Sequence, residues 1–235
     1  KNPYEREDYY EARTGDLNHP LKRSKSINLG GFISSDFRNK FALDLGGGGS
    51  INPLYSSHAY RWRISPRYRF NDKISMVYVL SIRNKYNDIG WVDNLSINDE
   101  ELSTPLFSLR NTYMITNVLS GSYIINNKID FSFKLRYHLD QVENITFKEL
   151  DNNGYLTALS VPLTEKARDI NYTTWTSDIA LNWWFAPGSQ LSIVWKNGID
   201  NETFVIRDRW LDNVEDSFNL PQENSLSLKI VYYLD

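Results

Sequence analysis

Tyr60-Arg61-Trp62-Arg63-Ile64-Ser65-Pro66-Arg67-Tyr68-Arg69-Phe70, followed by Asn71-Asp72-Lys73 and then Ile74-Ser75-Met76-Val77-Tyr78-Val79-Leu80-Ser81-Ile82, is the stretch that decides the fold. Tyr60, Trp62, Ile64, Tyr68 and Phe70 alternate with Arg61, Arg63, Ser65, Arg67 and Arg69. In an extended chain side chains point to opposite faces in turn, so one face is apolar and the other carries a row of arginines. The polar triplet 71–73 predicts a tight turn. Ile74, Met76, Tyr78, Leu80 and Ile82 then bring the apolar face back, although Val77 and Val79 blur its reverse side.

Three more hairpins of the same design lie outward from this one. Ser26 to Phe37 carries Ile27, Leu29, Ile33 and Phe37, turns at 38–40 and returns with Phe41, Leu43 and Leu45. Asn111 to Ile125 carries Tyr113, Ile115, Leu119 and Tyr123, turns at 126–128 and returns through Ile129, Phe131, Phe133, Leu135, Tyr137 and Leu139. Thr173 to Phe185 carries Trp175, Ile179, Leu181, Trp183 and Phe185, turns at 186–189 and returns with Leu191, Ile193 and Trp195. A last stretch holds Leu226, Leu228, Ile230, Tyr232 and Leu234. Between the hairpins, residues 46–58, 85–108, 141–172 and 198–224 lack the alternation and are expected to be long, irregular polar loops. Short and long connections therefore alternate strictly.

Composition narrows what such a chain is for. The 235 residues are 23% charged, 41% hydrophobic and 14% aromatic, with net charge −3, no cysteine and three histidines. No stretch approaches the ~18 uninterrupted apolar residues of a spanning helix. Absent cysteine excludes disulfide scaffolds, thiolate metal sites and cysteine nucleophiles. The balanced charge gives no reason to expect nucleic acid as a partner.

Loops of 20 to 30 residues argue against a soluble domain, whereas short turns at one end and long loops at the other are the plan of a transmembrane barrel. The expected fold class is therefore all-β, an antiparallel up-and-down transmembrane β-barrel forming a single domain over residues 1–235, about nine strands being visible. In it Trp62, Tyr68, Trp175, Trp183, Trp195 and Tyr232 are lipid-face aromatics, since amphipathic rings suit the headgroup boundary. Arg61, Arg63, Arg67, Arg69, Lys134, Arg136, His138 and Asp178 form a charge row lining the lumen. Asp44, Asp130 and Asp178 are the expected counter-charges of the arginines. Barrels normally have an even strand number with both ends on the side of the short turns, so an odd count predicts the C-terminal part of a larger barrel, or one strand missed.

Two segments resemble a known family. Trp183-Trp184-Phe185-Ala186-Pro187-Gly188-Ser189-Gln190-Leu191-Ser192-Ile193-Val194-Trp195-Lys196 and Pro221 to Asp235, with Leu29 to Asp44 as a less specific third, are similar to the C-terminal outer-membrane β-barrel domain of unknown function in Bacteroidota envelope proteins. That resemblance implies an outer-membrane location. In the family the barrel often follows a module similar to family-nine carbohydrate-binding domains. No such module lies in this chain, so sugar binding transfers to none of its residues.

Motifs with possible chemistry have plainer readings. His138 and Asp140 share a face beside Arg136, which suits a charged lumen network better than a general base with its orienting partner. His19 and His58 lie beside no nucleophile motif. Gly46-Gly47-Gly48-Gly49-Ser50 lacks the lysine of a phosphate loop and is expected to be a flexible loop. Asp151-Asn152-Asn153-Gly154 begins like a calcium turn without its terminal glutamate. The acidic segment around Glu202, Asp208, Asp212, Glu215 and Asp216, with Phe204, Trp210 and Phe218, is expected to be a solvated loop or a plug folded over the pore.

The function expected from these features is non-enzymatic: a membrane anchor, pore or subunit of a larger envelope complex, with no catalytic residue, no metal and no cofactor. Its partners would be outer-membrane lipid, other envelope proteins and an upstream carbohydrate-binding domain. A barrel-embedded hydrolase of lipid or peptide using His138, and a soluble β-sandwich or jelly-roll binding module, are the alternatives.

Overall fold

The computed structural model describes residues 5–9, 11, 13, 20–96, 103–159, 168–207 and 209–234. Their elements are, in order, β1 (Glu5–Tyr9), β2 (Leu21–Ser24), β3 (Ile27–Ser34), β4 (Phe41–Asn52), β5 (Ser57–Arg69), β6 (Ile74–Ser96), β7 (Ser103–Asn126), β8 (Ile129–Leu150), β9 (Leu156–Ala158), β10 (Ile170–Ala186), β11 (Ser189–Thr203), α1 (Trp210–Phe218) and β12 (Glu223–Val231). One sheet follows the order β12-β11-β10-β8-β7-β6-β5-β4-β3, with β9 added to β8 outside that path. Every adjacent pair on the path is antiparallel. The chain is thus an all-β up-and-down meander, as the alternation predicts.

The short turns close where the sequence places them, three of the four by side-chain bonds to their own backbone. Asn71 Oδ1 accepts from the amides of Lys73 and Ile74 at 2.8 and 2.9 Å. Asn126 Oδ1 accepts from the Lys128 amide at 2.8 Å, and Asp36 from the Arg38 amide at 2.9 Å. In the fourth hairpin Gly188 takes φ 70, a left-handed conformation that glycine adopts at little cost.

At the opposite end, the expectation of long irregular loops is corrected. Strands run on through most of 46–58 and 85–108 and through parts of 141–172 and 198–224: β4 and β5 are separated only by the Pro53–Tyr55 turn and Ser56, β8 extends to Leu150, and β11 extends to Thr203 before the segment that holds α1. Hydrophobic alternation fades there because both faces become polar. The backbone continues to pair regardless, through bulges such as the one between Lys85 and Asp88, where Asn87 takes φ 51. Gly46–Gly49 belong to β4 and are no flexible loop. Asp151 spends its carboxylate on the turn it opens, accepting from the Asn153 and Tyr155 amides at 2.9 and 2.8 Å.

A second correction concerns closure. Among the described residues β3 and β12 each have one partner and do not pair with each other, so the sheet is open and not a closed barrel.

Fully buried apolar residues are few. Ile115, Tyr137 and Leu139 form the core cluster, packed by Leu80, Ile82, Tyr113, Trp175 and Val214. Val214 comes from α1, which lies across β8, β10 and β11. Its buried polar side is stitched to the sheet: Asn171 Nδ2 donates to Asn213 Oδ1 at 2.7 Å, and the Ser217 hydroxyl donates to Thr173 Oγ1 at 3.4 Å.

Candidate functional site: two opposed faces of one sheet

Register converts the alternation into continuous cross-strand rows. One row runs Phe41, Tyr68, Met76, Gly121, Phe133, Ile179, Trp195 and Leu226 across eight strands. The next toward the short turns runs Ile74, Tyr123, Phe131, Leu181, Ile193 and Leu228. Beyond Leu139 the same face turns polar, as Gln141, Asn171 and Thr203 in one row. The apolar rows form a band of limited height. From Ile129 to Leu139, at ~3.3 Å per residue, it measures ~33 Å along the strand. At a tilt of ~40° that is ~25 Å in projection, the height of a barrel's lipid-facing band.

Much of this band is open to solvent. Leu29 is 82% exposed and Leu226 71%, in company with Trp62, Tyr68, Trp183, Leu228, Ile230 and Tyr232. The many exposed apolar side chains on β3, β4, β5 and β12 exceed what monomeric soluble proteins tolerate. Five of the six expected lipid-face aromatics remain at this surface, Trp195 half-buried among them. Trp175 does not: its ring lies 5.2 Å from Phe218 of α1 and 6.5 Å from Tyr137, and its Nε1 donates to Ser177 Oγ at 2.8 Å. The alternative of a plug over the pore is corrected by the same packing. The Trp210 ring stands 6.1 Å from Tyr137, so α1 sits on the apolar face at the upper margin of the band and not over the charged face.

The opposite face collects all eight predicted charge-row residues. Arg63, Ser81, Thr116, His138, Thr174 and Asp200 make one row. Arg67, Val77, Ser120, Lys134, Asp178 and Lys196 make another. Arg61 stands directly opposite Arg83, with Met114 and Asp140 continuing that row.

The expected neutralisation of the arginines is not what forms. Asp44 accepts from the Ser34 hydroxyl at 2.6 Å, Asp130 from Asn182 Nδ2 at 3.0 Å, and Asp178 stands 4.0 Å from Lys196. Arg67 places its guanidinium 4.8 Å from the Phe37 ring centroid, a cation–π contact. Arg63 Nη1 donates to Ser81 Oγ at 3.4 Å. Arg83 was not singled out from sequence, although carrying the alternation one residue past Ile82 brings it to the arginine face.

His138 Nδ1 lies 2.8 Å from Thr116 Oγ1. No group of three metal-ligating side chains occurs among the described residues.

The polar end beyond the band is tied separately. Arg168 Nη1 donates to Asp93 Oδ2 at 2.7 Å, and the guanidinium holds that carboxyl below the usual carboxylate range. Asn144 bridges this end, its amide N–H bonding Asp169 Oδ1 at 2.8 Å and its side chain accepting from the Ser108 hydroxyl at 2.6 Å.

The family model that matches this chain is described as "Domain of unknown function (DUF5916)" and covers residues 1–235. None of the curated proteins matches, and no solved structure does.

Proposed function

The chain belongs to the DUF5916 family, whose description names no activity, and we propose that it is a wall segment of a non-enzymatic outer-membrane β-barrel, serving as a membrane anchor, a pore wall or a subunit of a larger envelope complex. The observation that carries this reading is the apolar band of ~25 Å on one face of the meander, covered by α1 at its upper margin and open in the rows nearer the short turns, and backed by a charged face on the other. The open edges β3 and β12 present unpaired backbone groups, which hydrocarbon does not tolerate. In this reading further strands, or other envelope proteins, pair with them. The apolar rows then meet outer-membrane lipid while Arg61, Arg63, Lys134, Arg136 and Asp178 line an aqueous lumen.

One observation favours the soluble β-sandwich instead. Helix α1 covers part of the apolar face, over Tyr137, Leu139 and Trp175. It leaves open the rows through Phe131 and Phe133, which is why the membrane reading is preferred. In the hydrolase alternative His138 would be the base, and its close neighbour is a threonine hydroxyl.

The absence of native cysteine makes the test direct. Single cysteines at 130 to 135 of β8 are spin-labelled in phospholipid vesicles, and accessibility to oxygen and to a water-soluble nickel complex is compared. Oxygen should peak at 131, 133 and 135, and nickel at 130, 132 and 134. Uniform nickel accessibility, or full solubility of the protein without detergent, would overturn the reading. Replacing His138 by Ala should leave membrane insertion and labelling unchanged.

A further inference from the structure

We propose that the charged face carries a binding site for a multivalent phosphate-type anion, formed by Arg61, Arg63 and Arg83 over the glycines of β3 and β4. The site goes beyond the function proposed above, since it depends on the charged face alone and not on what covers the apolar one.

Three features of the geometry converge. The first is an absence of side chains beside the arginines. Gly48 is the cross-strand neighbour of Arg61 and Gly46 of Arg63, and Gly30 stands opposite Gly48. An added Cβ would stand 3.6 Å from Arg61 Nε at Gly48 and 3.7 Å from Arg61 Nη2 at Gly30, so the guanidinium extends over a bare backbone floor. That floor leaves a cavity of about 680 Å³, lined by Arg61, Arg63, Arg83, Asn28, Ser81 and Met114 among others. Such a volume suits a phosphorylated small molecule better than a halide.

The second feature is charge without an answering charge. Arg61 and Arg83 face each other across β5 and β6, an arrangement that like charges disfavour. Neither makes an ion pair or hydrogen bond among the described residues. Lys85, the next cation on β6, is already answered by Asp88 at 2.9 Å. The nearest carboxylate in the row, Asp140, stands two strands from Arg83, at ~10 Å, and feels Arg83 only after His138, Arg110 and Lys85, so it leaves Arg83 without a direct ion pair. Asp44 is held by Ser34.

The third is donor geometry. Guanidinium forks pair bidentately with phosphate oxygens, and two forks on adjacent strands can take two oxygens of one group or the two ends of a diphosphate. A bound dianion removes the repulsion that the empty site carries.

Inorganic pyrophosphate titrated calorimetrically into the natural full-length protein in detergent micelles tests the site. Saturable binding is expected, weakened at least tenfold in Arg61→Gln/Arg83→Gln and falling with added salt. Arg69→Gln, on the same face but outside the cavity, should bind like the parent. Removing two like charges relieves repulsion, so the double variant should fold, and Arg61→Lys/Arg83→Lys serves as a second probe that keeps charge but loses the forks. It should bind less tightly than the parent and more tightly than the glutamine pair. Displacement of pyrophosphate by a short-chain phosphatidic acid, whose phosphomonoester is multivalent, would assign the natural source to a lipid headgroup, and failure to displace it to a free phosphate compound. Absence of saturable binding by the parent, equal affinity in the glutamine pair, or equal weakening by Arg69→Gln overturns the proposal.

Discussion

Replacing Ile179 by Arg is the most direct challenge to a lipid-facing band. Ile179 sits in the row between Phe133 and Trp195, midway along β10 between the exposed Trp183 and the covered Trp175. A guanidinium at the midplane of a barrel's lipid face costs ~2–4 kcal/mol. Loss of the half-buried isoleucine adds about 1 kcal/mol. Together, ~3–5 kcal/mol lowers the folding equilibrium roughly a hundred- to several-thousand-fold. The adjacent Ala180 points to the other face, between Ser132 and Val194, and Arg there should cost no more than ~0.5 kcal/mol. Urea unfolding in phosphatidylcholine vesicles, followed by emission from the chain's seven tryptophans, measures both. A shifted midpoint with unchanged slope is expected for Ile179→Arg alone. If both variants shift equally, or Ile179→Arg costs under about 1 kcal/mol, as a solvent-facing residue would, the band does not meet hydrocarbon.

Other substitutions probe separate parts of the sheet. Gly47→Val brings a Cβ to 2.7 Å from the Trp62 ring and should destabilise by ~1–3 kcal/mol in the same titration, whereas Gly31→Ala, with nothing within 4 Å, should be near neutral. Asn171→Ala removes the acceptor of Gln141 and the donor to Asn213, at a cost of ~1–3 kcal/mol, and should be seen as faster proteolysis within 204–222. Because Arg168 lowers the Asp93 pKa, this pair's contribution is present above the ordinary carboxylate value and lost as pH falls through the lowered one. Both side chains are part-exposed, so Arg168→Gln should cost at most ~0.5 kcal/mol at neutral pH and flatten the stability profile on the acid side.

The sequence made the sheet legible wherever one face was apolar. Tyr60 to Phe70 and Ile74 to Ile82 announce their strands through side chains alone, and Asn71 and Asn126 mark turns that their own amide oxygens close. Legibility ends where both faces become polar. Gln141 to Asn144 alternates nothing by hydropathy, yet it continues β8, because a ladder needs backbone groups and not apolar residues. Gly46–Gly49 misled for the related reason that a strand without side chains has no period. Their use emerges only from register, which sets Gly47 against Trp62 and Gly48 against Arg61. Parity alone puts the eight charge-row residues on one face, but it does not give their partners, since pairing across strands depends on stagger that one chain's order does not encode. The position of α1 was hidden likewise: Trp210 and Phe218 signal an apolar contact without saying which face supplies it.

The strand order carries a consequence for how such a wall is made. Each strand on the main path bonds its neighbour on that path, which is also its neighbour in sequence apart from the short β9. Nearly all pairing therefore requires closing only a turn or a modest connection, the cheap end of the entropy scale. Assembly can proceed as a zipper, one hairpin templating the next along a growing edge. In the barrel-wall reading proposed above, the slow, concentration-dependent event is left to the two terminal edges, β3 and β12, where a partner must be found and not merely folded back. Factors that govern the rate of biogenesis should act on those edges.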